Sequence, residues 1–115
     1  MARVVVADND PDALDLLLMD LRLEGHEVHG APDAARAQLM IEALDPHVAV
    51  LDHRMPPGED GLSLAERLVR EHLDLRVLLY TNYQGIDLRL RAAAIDVPLL
   101  VKGNLRALRA AVIAP

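Results

Sequence analysis

The 115-residue chain contains no cysteine, phenylalanine or tryptophan, and its only aromatic residues besides histidine are Tyr80 and Tyr83. Without cysteine there is no disulfide, no thiolate metal site and no cysteine nucleophile, a composition that suits the cytoplasm. With 52% hydrophobic residues and so few aromatics, the core has to be aliphatic. No apolar stretch approaches the ~20 residues needed to cross a bilayer. Asp8 and Asp10 interrupt the first apolar run before it can read as a signal peptide. Lysine is nearly absent too: eleven of the twelve basic residues are arginine, and Lys102 is the only lysine. A compact, mobile ammonium at that one place, in a chain that otherwise uses planar guanidinium groups, marks a position where the difference matters.

The net charge of −6 argues against non-specific nucleic-acid binding by this domain. The charge is uneven: residues 1–83 hold 16 acids and 7 bases, whereas residues 84–115 hold 2 acids and 5 bases. The bases of the last third read as a solvated surface. The length fits a single domain over residues 1–115.

What the chain does have is a repeated pattern. Val4-Val5-Val6-Ala7 ends on Asp8, Val48-Ala49-Val50-Leu51 on Asp52, Val77-Leu78-Leu79-Tyr80 on Thr81, and Leu99-Leu100-Val101 on Lys102. Short runs rich in Val and Leu read as strands buried on both faces, and such runs separated by helices build a parallel sheet. The helices are marked by Asp10-Pro11, a cap followed by proline, with leucines from Leu14 to Leu23; by Pro32, which opens a second helix that Asp45-Pro46 stops; and by stretches 62–72, 86–95 and 105–113. Strands are predicted at 3–7, 27–30, 47–51, 76–80 and 97–101. Connections this short between alternating strands and helices require right-handed crossovers. In the last helix Leu105, Leu108, Val112 and Ile113 form an apolar stripe, most of which should pack on the sheet.

In a parallel sheet the strand ends lie on one edge, where ligands bind. Two carboxylates, a hydroxyl and an ammonium should therefore converge. Asp8 and Asp52, with Asn9 or Asp10 beside them, offer the hard oxygen ligands that suit Mg²⁺. A carboxylate can also attack phosphorus to give an aspartyl phosphate. The metal and Lys102 would neutralise the oxygens of the transferring group, and Thr81 would donate to one of them. Each residue alone has a duller explanation as a cap, a turn residue or a solvated charge; the conjunction carries the weight. The five histidines are expected to be surface or loop residues rather than a zinc site.

With these segments in view, the chain resembles the receiver domains of bacterial two-component response regulators. The resemblance rests on Val4 to Asp10 with Pro11, Val48 to Pro56 with Asp60-Gly61, Leu78 to Thr81, and Leu99 to Lys102. It implies a flavodoxin-like (βα)5 three-layer sandwich with a parallel five-stranded sheet of order 2-1-3-4-5 and helices on both faces. It further implies that Asp52 is the phosphoacceptor for a sensor histidine kinase or phosphotransfer protein. Asp8, Asn9, Asp52 and the backbone carbonyl of Arg54 would hold Mg²⁺, and Thr81 and Lys102 would engage the phosphoryl oxygens. A surface over about residues 85 to 114 would then address a downstream effector protein or domain, with a homodimer as one form of output.

Several positions depart from the pattern that the resemblance sets. Asn9 replaces an acid, which weakens Mg²⁺ binding unless Asp10 compensates. Asn82 is larger than the usual residue after the Thr. The turn from Pro56 to Asp60 is one residue longer. Leu99 stands where an aromatic switch residue is common, and Gly103 replaces a proline, which removes an expected cis bond. These departures keep a second reading open, a protein-interaction module on the same fold that works without phosphorylation. A third is a phosphatase resembling the haloacid dehalogenase group, with Asp8 as nucleophile, Asp10 as acid/base, and Thr81-Asn82 and Lys102 as later motifs. No acidic pair follows Lys102 to complete that group's metal site, and the chain is short for its fold.

Overall fold

The computed structural model describes residues 1–114 and contains five strands alternating with five helices. In chain order these are β1 (Arg3–Ala7), α1 (Pro11–Leu23), β2 (Glu27–Ala31), α2 (Ala34–Leu44), β3 (Val48–Leu51), α3 (Gly61–Glu71), β4 (Arg76–Thr81), α4 (Ile86–Ala94), β5 (Leu99–Val101) and α5 (Leu105–Ile113). All four strand pairings are parallel and the sheet order is β2-β1-β3-β4-β5. Pro115, the last residue of the expected domain, lies outside the described residues.

Side chains alternate across the sheet and so create two cores. Val5, Ala7, Ala49, Leu51, Val77 and Leu79 face α2, α3 and α4, where Ile41, Leu64, Leu68 and Leu88 cover them. Val4, Val6, Val48, Val50, Leu78 and Tyr80 face α1 and α5, against Leu17, Leu21, Leu108 and Val112. The last-helix stripe divides as expected, with Leu108 and Val112 fully buried, Leu105 partly buried, and Ile113 70% exposed. Among the described residues, Tyr80 is the one aromatic in an otherwise aliphatic set of buried hydrophobic residues.

Polar residues set the helix starts. Asp10 caps α1 ahead of Pro11, Asp33 caps α2, Asp60 caps α3 and Asn104 caps α5, each accepting a backbone N–H within the first turn. The cap of α2 falls one residue beyond Pro32. The strand predicted at 97–101 begins only at Leu99, because Pro98 has no N–H to give the ladder and Asp96 turns the chain with a left-handed φ of 55°.

One expectation needs correction. β5 is an edge strand with half-exposed Val101, not a run buried on both faces, since β4 alone pairs with it. His26 lies in the loop between α1 and β2, as expected of the histidines, yet it is buried, and its Nδ1 accepts the Ala2 N–H at 3.0 Å. A neutral imidazole nitrogen can satisfy a backbone donor inside the fold, a role that residue type alone does not reveal.

Candidate functional site

The strand register brings the predicted edge together. Ala7 of β1 lies level with Leu51 of β3, so the residues that follow them, Asp8 and Asp52, emerge side by side. Leu51 in turn lies level with Leu79 of β4, and Thr81 with Val101 of β5, which delivers Thr81 and then Lys102 to the same edge. Asp8 and Asp52 are both buried, and the Lys102 ammonium bridges them, 2.7 Å from Asp8 Oδ2 and 2.9 Å from Asp52 Oδ2. Contacts made by three residues separated by 44 and 50 positions in the chain are a product of topology alone.

The remaining oxygen of each carboxylate is held by backbone. Asp8 Oδ1 accepts the Asp10 N–H at 2.9 Å, and Asp52 Oδ1 accepts the His53 N–H at 2.7 Å. Asp8 Oδ2 is buried with no hydrogen bond of sound geometry, its neighbour being the ammonium as an ion contact. Partial burial works against the charge on Lys102, but Asp8 and Asp52 outweigh it and raise the ammonium above its ordinary pKa. The ammonium therefore stays charged, and its stabilising effect is present at neutral pH and lost only as pH rises through that raised value.

An opening of about 320 Å³ sits over this edge, lined by Asn9, Asp52, Arg54, Thr81, Asn82, Tyr83 and Lys102 among others. Of the predicted site residues, Asn9, Asp52, Arg54, Thr81 and Lys102 line it, and Asp8 is joined to them by its contact with Lys102. Thr81 is buried and its Oγ1 accepts the Tyr83 N–H at 3.3 Å. Asp10 Oδ1 caps α1 by accepting the Asp12 N–H at 3.0 Å, and Asn9 rather than Asp10 lines the opening. Among the described residues no group of three or more His, Asp or Glu gathers as a metal cluster. The donor set is accordingly two carboxylates, one amide and backbone carbonyl oxygen. A small hard cation that keeps several waters fits such a set, and the underpartnered buried oxygen of Asp8 is a donor ready for it.

Several residues at the site were missed in the sequence. The Tyr83 ring stacks on His53, with centroids 5.5 Å apart, and the Arg54 guanidinium lies 4.6 Å from its centroid. The segments after Asp52 and after Thr81 are joined by that packing. An aromatic two residues after a strand-end threonine was the available signal. Gly61, named in the sequence only within a matching segment, has a packing role that was not read there: a Cβ would stand 2.0 Å from the carbonyl oxygen of Asp52, and its N–H donates to the His53 carbonyl at 2.7 Å. Only glycine lets α3 start this close to the phosphoacceptor candidate. Gly103 follows Lys102 with φ of 100°, and the one cis bond among the described residues is Pro56–Pro57.

Residues 4–112 match the response regulator receiver domain family. The DNA-binding dual master transcriptional regulator RpaA of Synechocystis sp. is 34% identical over 96 residues, which is 76% of this chain and 39% of that protein. The chain spans about two fifths of the length of the curated relatives it matches. Among solved structures, response regulator protein TrrA from Thermotoga maritima, in complex with Mg(2+)-BeF, superposes with a TM-score of 0.84 at 28% identity, covering 95% of this chain and 94% of that one. The signal receiver domain of the putative response regulator NarL from Mycobacterium tuberculosis gives 0.81 at 32% identity, with 96% and 95% covered. The order 2-1-3-4-5 and the converging strand ends agree with these matches, and the chain belongs to the response regulator receiver domains of two-component signalling.

Proposed function

We propose that the domain is a phosphorylation-driven switch in which Asp52 accepts a phosphoryl group from a sensor histidine kinase or a phosphotransfer protein. The observation that carries this is the Lys102 bridge between Asp8 and Asp52 at the mouth of the opening. A carboxylate oxygen of Asp52 attacks phosphorus, an O–P bond forms, and the bond from phosphorus to the donor's leaving group breaks. Asp8, Asn9, Asp52 and the Arg54 carbonyl would hold Mg²⁺, which supplies charge neutralisation for the phosphoryl oxygens when bound. The chain's own contribution is Lys102, a fixed cation beside the reacting oxygen that can turn from the carboxylates to the phosphoryl group. The Thr81 hydroxyl can donate to a phosphoryl oxygen once it rotates away from the Tyr83 N–H.

The relative in complex with Mg(2+)-BeF supports the same assignment by analogy. Asn9 leaves the site one negative charge short, so Mg²⁺ binding is weaker than an all-acid set would give. The domain carries the modification and no turnover chemistry of its own beyond slow loss of the phosphoryl group. Its effector is a downstream protein or a domain in a longer polypeptide, and it works in the cytoplasm. No helix among the described residues is long and apolar enough to cross a membrane.

Intact-protein mass after incubation with Mg²⁺ and acetyl phosphate tests the proposal. One phosphoryl adduct is expected in wild type and none in Asp52→Asn. A folded, metal-saturated wild type without an adduct would favour the interaction module that works without phosphorylation, to which Asn9 points.

A further inference from the structure

Lys102 can act on a phosphoryl group only if the turn that carries it is fixed, and both peptide units that flank it are held by β4. The Lys102 N–H donates to the Thr81 carbonyl at 3.1 Å, which continues the β4–β5 ladder one step past Val101. The next N–H, that of Gly103, donates to the hydroxyl of Tyr80 at 2.7 Å. This second bond belongs to no ladder. It is made by a side chain that reaches from the buried α1–α5 face of the sheet up to the turn.

Tyr80 is 3% exposed, and its ring lines a mostly apolar cavity of about 220 Å³ whose walls include Leu17, Leu105, Lys102 and Gly103. A buried phenol oxygen requires a polar partner, and here the partner is the peptide that immediately follows the catalytic lysine. Gly103 can present its N–H inward because its φ of 100° lies in the region that glycine alone enters without strain. A proline at 103 would have neither the φ nor the N–H. Tyr80 and Gly103 are therefore a matched pair, one useless to the turn without the other.

We infer that Tyr80 is a positioning residue for Lys102: its hydroxyl fixes the β5–α5 turn so that the ammonium stays aimed at Asp8, Asp52 and an incoming phosphoryl group. The inference rests on the phosphoacceptor role of Asp52 for its functional part and on geometry for the rest.

Tyr80→Phe deletes the hydroxyl and keeps the ring, so the core stays filled. Because the chain has a single lysine, its side-chain ammonium gives one assignable signal in ¹⁵N-labelled protein. The expected result is a shifted or broadened ammonium signal, and phosphorylation by acetyl phosphate with Mg²⁺ slowed about twofold to tenfold, the range that loss of one hydrogen bond allows. Gly103→Ala, which strains the same bond from the other side, should displace the same signal. An unmoved ammonium signal and an unchanged rate in Tyr80→Phe, with only stability lowered, would overturn the assignment and leave the hydroxyl a packing group. Were wild type itself to take no phosphoryl group, the phosphoacceptor role would fail. The ammonium signal would then decide alone: displaced in Tyr80→Phe, the positioning stands; unmoved, it falls.

Discussion

The two edges of the sheet carry similar side chains and use them differently. At the edge where the strands begin, Arg3, His26, His47 and Arg76 each bond to backbone, and Arg3 also pairs with Glu27 at 2.7 Å. His26 and His47 accept the N–H groups of Ala2 and Arg3, at 3.0 and 2.9 Å. Arg3 donates to the Leu44 carbonyl, and Arg76 donates to the carbonyls of Ala111 and Val112 at the end of α5. These groups fasten helix ends and the first strand. At the edge where the strands finish, Asp8, Asp52 and Lys102 turn to one another, and Asp8 Oδ2 lacks a sound hydrogen bond. Folding alone gives little reason to bury two carboxylates side by side; desolvating them is costly unless a cation compensates. Two carboxylates sharing one cation are the kind of arrangement that a ligand can use, whereas the buried carboxylate of Asp20, outside this edge, has Arg109 to itself.

The sharpest way to break the contrast is to remove the cation at the functional edge. Lys102→Met should slow phosphorylation by about a hundredfold or more, the scale of deleting one preorganised charge stabiliser. The same variant should be destabilised without metal, and Mg²⁺ should restore it, since the cation replaces the lost counter-charge. Thermal melts with and without Mg²⁺ beside a phosphorylation time course check both halves. A variant that phosphorylates at the wild-type rate would mean that Lys102 is merely structural.

At the opposite edge the effect should be on stability alone. Arg76→Met leaves the last carbonyls of α5 without their donor and should cost about 1–3 kcal/mol in urea unfolding. Its phosphorylation rate should match wild type. A change in rate there would erase the distinction between the edges.

The smallest expected effect sharpens the border between the two roles. Asp60 sits in the loop that follows Asp52, yet its Oδ1 caps α3 through the Ser63 N–H at 2.8 Å. Burial works against its ionisation, but the hydrogen bonds from Ser63 prevail and hold the carboxyl below its ordinary pKa. Asp60→Ala should cost about 0.5–2 kcal/mol at neutral pH. A depressed carboxylate stabilises above its unfolded value and loses that contribution as pH falls through the folded one. The gap between wild type and variant should therefore narrow below about pH 4. Urea titrations at pH 7 and pH 3 measure it, and a gap independent of pH would deny the cap its charge.

Much of this contrast was legible beforehand, and unevenly. The functional edge was readable because each contributing residue ends an apolar run, so parity and parallel topology fix where it must emerge. Asp10 resisted such reading, since a carboxylate beside a strand end can serve as metal ligand or helix cap, and the capping bond from the Asp12 N–H is visible only in the fold. The stitching edge was illegible for a related reason: His26, His47 and Arg76 bond to backbone carbonyl and N–H groups, which leave no trace in residue identity. β5 misled because Leu99-Leu100-Val101 has the composition of a strand buried on both faces, although the order 2-1-3-4-5 that the resemblance implied already placed it at the sheet edge. Tyr83, His53 and Arg54 meet across two loops whose conformations no periodicity describes.

The most direct test of the functional edge is to find which carboxylate carries the phosphoryl group. Borohydride reduces an acyl phosphate to the alcohol with release of phosphate, turning a phosphorylated aspartate into homoserine. Protein treated with Mg²⁺ and acetyl phosphate, reduced and digested, should yield homoserine at position 52 and at no other aspartate. Homoserine at Asp8 instead would make that residue the nucleophile and revive the phosphatase chemistry, contradicting the account.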